Sequence, residues 1–200
     1  MSPAAAGGAD ALALLTAYQH SAIVAAATRT GVADELAAGN GDADAIAAAR
    51  ELHAPSVRKL LGAMTALGLA EPSDGGHRLT GVGAELASTH PGTLATIVEK
   101  EWFFYSAWAG LDQAIRDGHA RIAPWRERLE RDPAQSARFL GALDDLAARF
   151  GGGMPALAGL ERGGRLLDVG GGAGSHSAYL KDAVRASDDG QPWPSWQFGY

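Results

Sequence analysis

The chain has 200 residues, of which 46% are hydrophobic and 20% charged, a globular balance that excludes disorder throughout and allows one or two domains with a sizeable core. Its formal charge of -6 gives no overall attraction to phosphate backbones or anionic membranes, which makes nucleic acid a weak candidate partner. The absence of cysteine excludes a disulfide framework, a thiolate metal site and a cysteine nucleophile. The start MSPAAAGGAD has no basic n-region, and the longest strongly apolar stretch nearby, Ala22–Ala27, is too short to cross a bilayer, so the expectation is a cytoplasmic chain without a membrane partner.

In chain order, an Ala-rich helix is predicted from Asp10 to about Thr28, with Leu12, Leu15, Tyr18, Ala22, Ile23 and Ala26 as a stripe. Its other face is apolar too, which predicts burial on two sides, as in a helix shared between subunits. A short helix over Val32–Ala38 ends at Gly39-Asn40-Gly41. Asp42 caps a helix to about Arg50, and Pro55 opens another in which Val57, Leu60, Leu61, Met64 and Leu67 are periodic and Gly68 is the stop. Leu69-Ala70-Glu71, a turn over Pro72–Gly76 and His77-Arg78-Leu79 form a small hairpin, so that helix, turn, helix and hairpin spell a winged helix. Thr80 caps a helix through Leu86, and His90-Pro91-Gly92 breaks it.

A long helix follows from Thr93 to Asp117, with Trp108, Leu111 and Ile115 among its spaced apolar residues and Gly118 as its end. The group Trp102, Phe103, Phe104, Tyr105 and Trp108 is wider than one stripe, so its rings divide between the core and a pocket or subunit face. Arg121–Arg131, interleaved with Glu127 and Glu130, make a solvated helix face with i, i+3 or i+4 pairs. Pro133 opens a helix with Phe139, Leu143, Leu146 and Phe150 on one face, and Gly151-Gly152-Gly153 is a flexible joint.

Arg165-Leu166-Leu167-Asp168-Val169 then forms a buried strand running into the loop Gly170-Gly171-Gly172-Ala173-Gly174, which opens a helix. Glycines there allow positive φ and remove the Cβ atoms that would keep a ligand off the backbone amides. The dinucleotide pattern GxGxxG needs a glycine where Ser175 stands, so the spacing Asp168, Gly170, Gly172, Gly174 favours S-adenosylmethionine over NAD.

Over about residues 10 to 181 this order resembles the class I S-adenosylmethionine-dependent O-methyltransferases of the plant caffeate and bacterial polyketide or phenazine type. LLDVGGGAGSH resembles the family's first cofactor motif, Trp108 to Gly118 its WxxLxxAIxxG segment, and Asp132-Pro133 with Phe139 its DPxxxxxF segment. The resemblance implies a mainly α chain. Residues 10–100 would be a helical dimerisation and winged-helix (α+β) domain, and 101–160 a helical connector and substrate-pocket region. Residues 161–186 would be the start of an α/β Rossmann-like methyltransferase domain, followed by an irregular tail over 187–200. It also implies a homodimer, cofactor binding by Asp168, Gly170, Gly172 and Gly174, and a pocket for a hydroxylated aromatic or polyketide-like acceptor that includes Trp102, Phe103, Phe139 and Leu143. Where the family often has methionine four residues after the phenylalanine, this chain has Leu143.

Two parts of the family pattern have no counterpart. No second strand ends in an acidic residue for the ribose hydroxyls, and neither His119 nor His176 stands where the family's general-base histidine would, so no catalytic residue is assigned. The expectation is a truncated chain, inactive alone, that binds the cofactor weakly or not at all. The alternatives are a winged-helix transcription regulator, poorly served by Arg58 and Lys59 as the only basic residues of its second helix, and a non-catalytic dimerisation protein. Asp144-Asp145 belongs to capping or solvation, and the six histidines show no metal spacing.

Overall fold

A computed structural model describes residues 10–150, 169, 171, 174–178 and 180. Two compact units meet between Glu99 and Lys100.

In the first unit, α1 (Ala11–Arg29) starts at Asp10, whose carboxylate accepts from the Leu12 amide, a normal N-cap. It is followed by α2 (Val32–Ala37), α3 (Ala43–Ala49) and α4 (Ala54–Ala66). Asp42 caps α3 by accepting from Asp44 and Ala45. Pro55 sits second rather than first in α4, because His53 is the cap and its ring nitrogen meets the Ser56 hydroxyl at 3.0 Å. Strands β1 (Ala70–Ser73) and β2 (Gly76–Leu79) pair antiparallel, Ala70 opposite Leu79 and Glu71 opposite Arg78. The connection is only Asp74-Gly75, tighter than the turn read from sequence, and Glu71 and Arg78 form a cross-strand ion pair at 2.7 Å. Thr80 caps α5 (Gly81–Ala84) by accepting from Gly83; this helix stops short of Leu86.

The core of this unit is built by Ala27, Val32, Leu36, Ile46, Leu61 and Met64, with Val57, Leu69 and Leu86 around them. The periodic face of α4 is therefore buried as expected. On α1 only the C-terminal half is: Ala25 and Ala27 are buried, whereas Leu12, Leu15 and Tyr18 are 64%, 71% and 53% exposed. The predicted stripe thus extends about two turns beyond what a single chain covers. Contrary to the sequence reading, α1 is long and apolar enough by composition to cross a bilayer, with 19 residues and a mean hydropathy of 1.2. Its C-terminal turns are nonetheless committed to the protein core.

The second unit differs from expectation at its first helix. The segment Thr93–Asp117 is two helices, α6 (Ala95–Trp108), which begins before the unit boundary, and α7 (Leu111–Asp117). Gly110 interrupts them, since glycine is costly inside a helix, and a Cβ there would lie 2.8 Å from Arg121 Cγ. The stripe read through Trp108, Leu111 and Ile115 is consequently exposed. Gly118 ends α7 at φ 73, as expected of an αL cap. Then come α8 (Trp125–Arg131) and α9 (Pro133–Phe150). Of the predicted stripe on α9, Phe139, Leu143 and Leu146 are half-buried and Phe150 is exposed, while the fully buried positions are the small residues Ser136, Ala142 and Ala147.

Candidate functional site

The glycine joint 151–153 and the expected strand lie outside the described residues, apart from Val169, which is 84% exposed in a bend rather than buried. Asp168, Gly170 and Gly172 lie outside them too. Gly174 is described, and its φ of 78 lies in the left-handed region that glycine tolerates. Its amide donates to Gly171 at 2.8 Å and its carbonyl accepts from Ala178 at 2.9 Å, so it closes the loop and opens the helical turn over 175–178. A Cβ at Gly174 would meet nothing within 4 Å, and glycine is demanded there by φ alone. The hydroxyl of Ser175 donates to the carboxylate of Asp144 on α9. Asp144 is exposed, in keeping with its reading as a solvated residue, and accepts this bond as well. His176 is exposed.

The aromatic residues of α6, α8 and α9 form a half-buried group. Phe103 and Phe104 meet edge to face at 5.2 Å, Phe104 and Phe139 at 5.8 Å, and Trp125 tilts against Phe139 at 5.1 Å. No aromatic side chain of the described residues belongs to the fully buried core. Rings packed together yet left partly open are the kind of wall that a flat apolar ligand can lie against. Of the four pocket residues expected from sequence, Phe103 and Phe139 join this group. Leu143 follows Phe139 one turn later on the same face of α9. Trp102 stacks instead on Tyr105, at 5.1 Å with the planes 5° apart, and is not among the clustered rings.

Sequence reasoning missed two residues. Trp125 was not singled out, and Arg128 was assigned to a solvated face, although the Trp125/Arg128 spacing of i, i+3 was a legible sign that both share a side of α8. Glu127 does pair with Arg131 at 2.5 Å as the charge pattern predicts. Arg128 instead points among the rings, its guanidinium 5.1 Å from the Trp125 centroid and 5.6 Å from that of Phe103. Lys100, its side chain only 12% exposed, reaches Phe104 at 5.8 Å while pairing with Glu101. Among the described residues, no group of three His, Asp or Glu side chains could hold a metal ion.

No protein-family profile and no curated protein matches the chain. Solved structures do: the chain is similar to class I S-adenosylmethionine-dependent O-methyltransferases, whose cofactor is S-adenosylmethionine. An O-methyltransferase of neocarzinostatin biosynthesis, solved with S-adenosylmethionine and 2-hydroxy-5-methyl naphthoic acid, is 30% identical, with a TM-score of 0.68 over 90% of this chain. The pyocyanin biosynthetic protein PhzM is 25% identical, with a TM-score of 0.73 over 86% of the chain. Human N-acetylserotonin methyltransferase in complex with S-adenosylmethionine shares the fold at 21% identity and a TM-score of 0.75 over 90%. The chain spans 57%, 53% and 58% of those three proteins, a little over half of each.

Proposed function

We propose that this chain is the N-terminal portion of an O-methyltransferase that moves a methyl group from S-adenosylmethionine to a hydroxylated aromatic or polyketide-like small molecule in the cytoplasm. The observation that carries the reading is the pairing, within one unit, of an open aromatic group with a glycine loop whose last member, Gly174, has φ 78 and leads straight into a helical turn. That backbone fits a cofactor approached by amides rather than by side chains. Similarity to the naphthoate-bound neocarzinostatin enzyme supports the acceptor class.

In this reading Gly170, Gly172 and Gly174 bring main-chain donors to the cofactor, and Asp168 joins the polar network beside its ammonium group. Phe103, Phe139 and Leu143, with Trp102 at the margin, orient the acceptor so that its oxygen faces the loop, and orientation of this kind is a large part of what such a site contributes. When bound, the cofactor supplies an electrophilic methyl group on a sulfonium. Asp144 holds Ser175, and with it the first turn after the loop, in place. Residues 10–38 join two copies, and α3, α4 and the hairpin form a winged helix with an architectural role.

The test is saturation-transfer NMR with S-adenosylmethionine on the purified chain and on Gly172→Val. The expected result is transfer to the cofactor with weak affinity, about -4 to -6 kcal/mol, that the variant abolishes and that NAD does not show. Transfer indifferent to Gly172→Val, or shown equally by NAD, overturns the cofactor assignment.

A further inference from the structure

The rings of the second unit surround a cation. Arg128 Cζ lies 5.1 Å from the centroid of Trp125, 5.6 Å from Phe103, and 5.8 Å from both Phe104 and Phe139. Its Nε donates to the carbonyl of Ala123 at 3.0 Å, which fixes the fork at its base. A guanidinium has five N–H donors and cannot lose its charge. The four on its terminal nitrogens meet no acceptor among the described residues. Ring faces attract the charge but are poor acceptors, so they hold the group without satisfying it. On its own helix the adjacent Glu127 is engaged by Arg131, and Asp132, one turn on, accepts from the Gln135 amide.

We propose that Arg128 is a specificity-determining residue that takes the carboxylate of an aromatic acid lying against Phe103, Phe139 and Trp125. This rests on the reading of the aromatic group as an acceptor pocket and narrows it: the acceptor is an aryl carboxylate bearing the hydroxyl that is methylated. The donor geometry selects the ligand. A guanidinium fork matches a planar carboxylate through two parallel N–H bonds, and partly desolvating rings strengthen such a pair relative to one in open water. The same rings offer flat apolar contact to the arene. A neutral phenol would gain that contact and leave the fork unanswered.

Calorimetric titration of the full chain with 3-hydroxy-2-naphthoate and with 2-naphthol, near neutral pH, separates the two, because the ligands differ only in the carboxylate. The naphthoate is expected to bind about tenfold tighter or more. Arg128→Gln is expected to erase that ratio, and Arg128→Lys to retain part of it. Loosened packing in a variant would weaken both ligands alike and leave their ratio, so the ratio is the readout, and the unmutated chain alone can refute the idea. Equal binding of the two ligands, or a ratio unchanged in Arg128→Gln, overturns the role of Arg128 while the aromatic pocket stands. Binding of neither overturns the pocket as well, independently of the cofactor test.

Discussion

The amide of His77 donates to the carbonyl of Gly41 at 3.0 Å, so the turn before α3 is hydrogen-bonded to β2 much as a third strand would be. The approach is possible because neither side carries a Cβ: one on Gly41 would lie 2.3 Å from the His77 oxygen, and one on Gly76 would lie 2.2 Å from the Gly41 oxygen. Gly41→Ala is therefore expected to destabilise the protein by about 1–3 kcal/mol, the usual cost of forcing extra volume into a packed contact. Gly62, inside α4 with nothing near its Cβ position, gives the opposite sign. There alanine should stabilise by about 0.5–1 kcal/mol, through helix propensity and a less disordered unfolded chain. Urea denaturation of both variants reads the two signs, and a stable Gly41→Ala would contradict the close approach.

Stability should fall in acid partly through Glu35. The Asn40 amide donates to its carboxylate at 3.1 Å and Arg50 at 2.7 Å, and these bonds hold the carboxyl below its ordinary value of 4.5. A carboxyl lowered in the folded state contributes stability that is complete above its unfolded value and is lost as pH falls through the folded one. The window is thus below about pH 4.5. Glu35→Gln is expected to flatten the drop in urea midpoint over that interval while leaving the slope at higher pH unchanged. An unaltered acid limb would remove Glu35 from the account.

Self-association is expected through the first turns of α1, where Leu12, Leu14, Leu15 and Tyr18 are more than half exposed. Singly exposed apolar residues are common, but four within two turns form a patch that a second copy can cover. Sedimentation should give a dimer for the chain and a monomer for Leu15→Lys. A monomeric unmutated chain at micromolar concentration, with α1 still helical, would refute this.

The helix–turn–helix–hairpin should not bind duplex DNA. Two of its basic residues are already answered, Arg58 by Asp44 and Arg78 by Glu71, so approach of these to phosphate would cost two ion pairs. Gel-shift assays at low salt are expected to show no specific complex. Retardation that depends on sequence and disappears in Arg58→Ala would instead support a regulator.

The first unit was more legible in the sequence than the second, for physical reasons. In α4, Val57, Leu61 and Met64 are large, spaced by the helical period and bounded by Gly68, so pattern and packing agree. The caps at Asp42 and Thr80 likewise depend only on neighbours in the chain. By contrast, α9 buries Ser136, Ala142 and Ala147, residues whose smallness lets elements approach but which hydropathy does not mark. The break at Gly110 was hidden because the letters on either side continue the period. Arg128 was misread because its charge pattern matches a solvated face, while its partners Phe103 and Phe139 lie on other helices, beyond the reach of local spacing.

In the proposed enzyme, the hydroxyl bond from Ser175 to Asp144 would bear on how acceptor preference changes. Helix α9 presents Phe139 and Leu143 on one face and, at the very next position, the carboxylate that tethers the turn after the glycine loop. A roll or slide of α9 that reshaped the aromatic wall would pull on the turn over 175–178. In the proposed enzyme, variation in the choice of small molecule would thereby be channelled into side-chain exchange at Phe103, Trp125 and Arg128, where the surroundings can be recut without disturbing the alignment of donor and recipient.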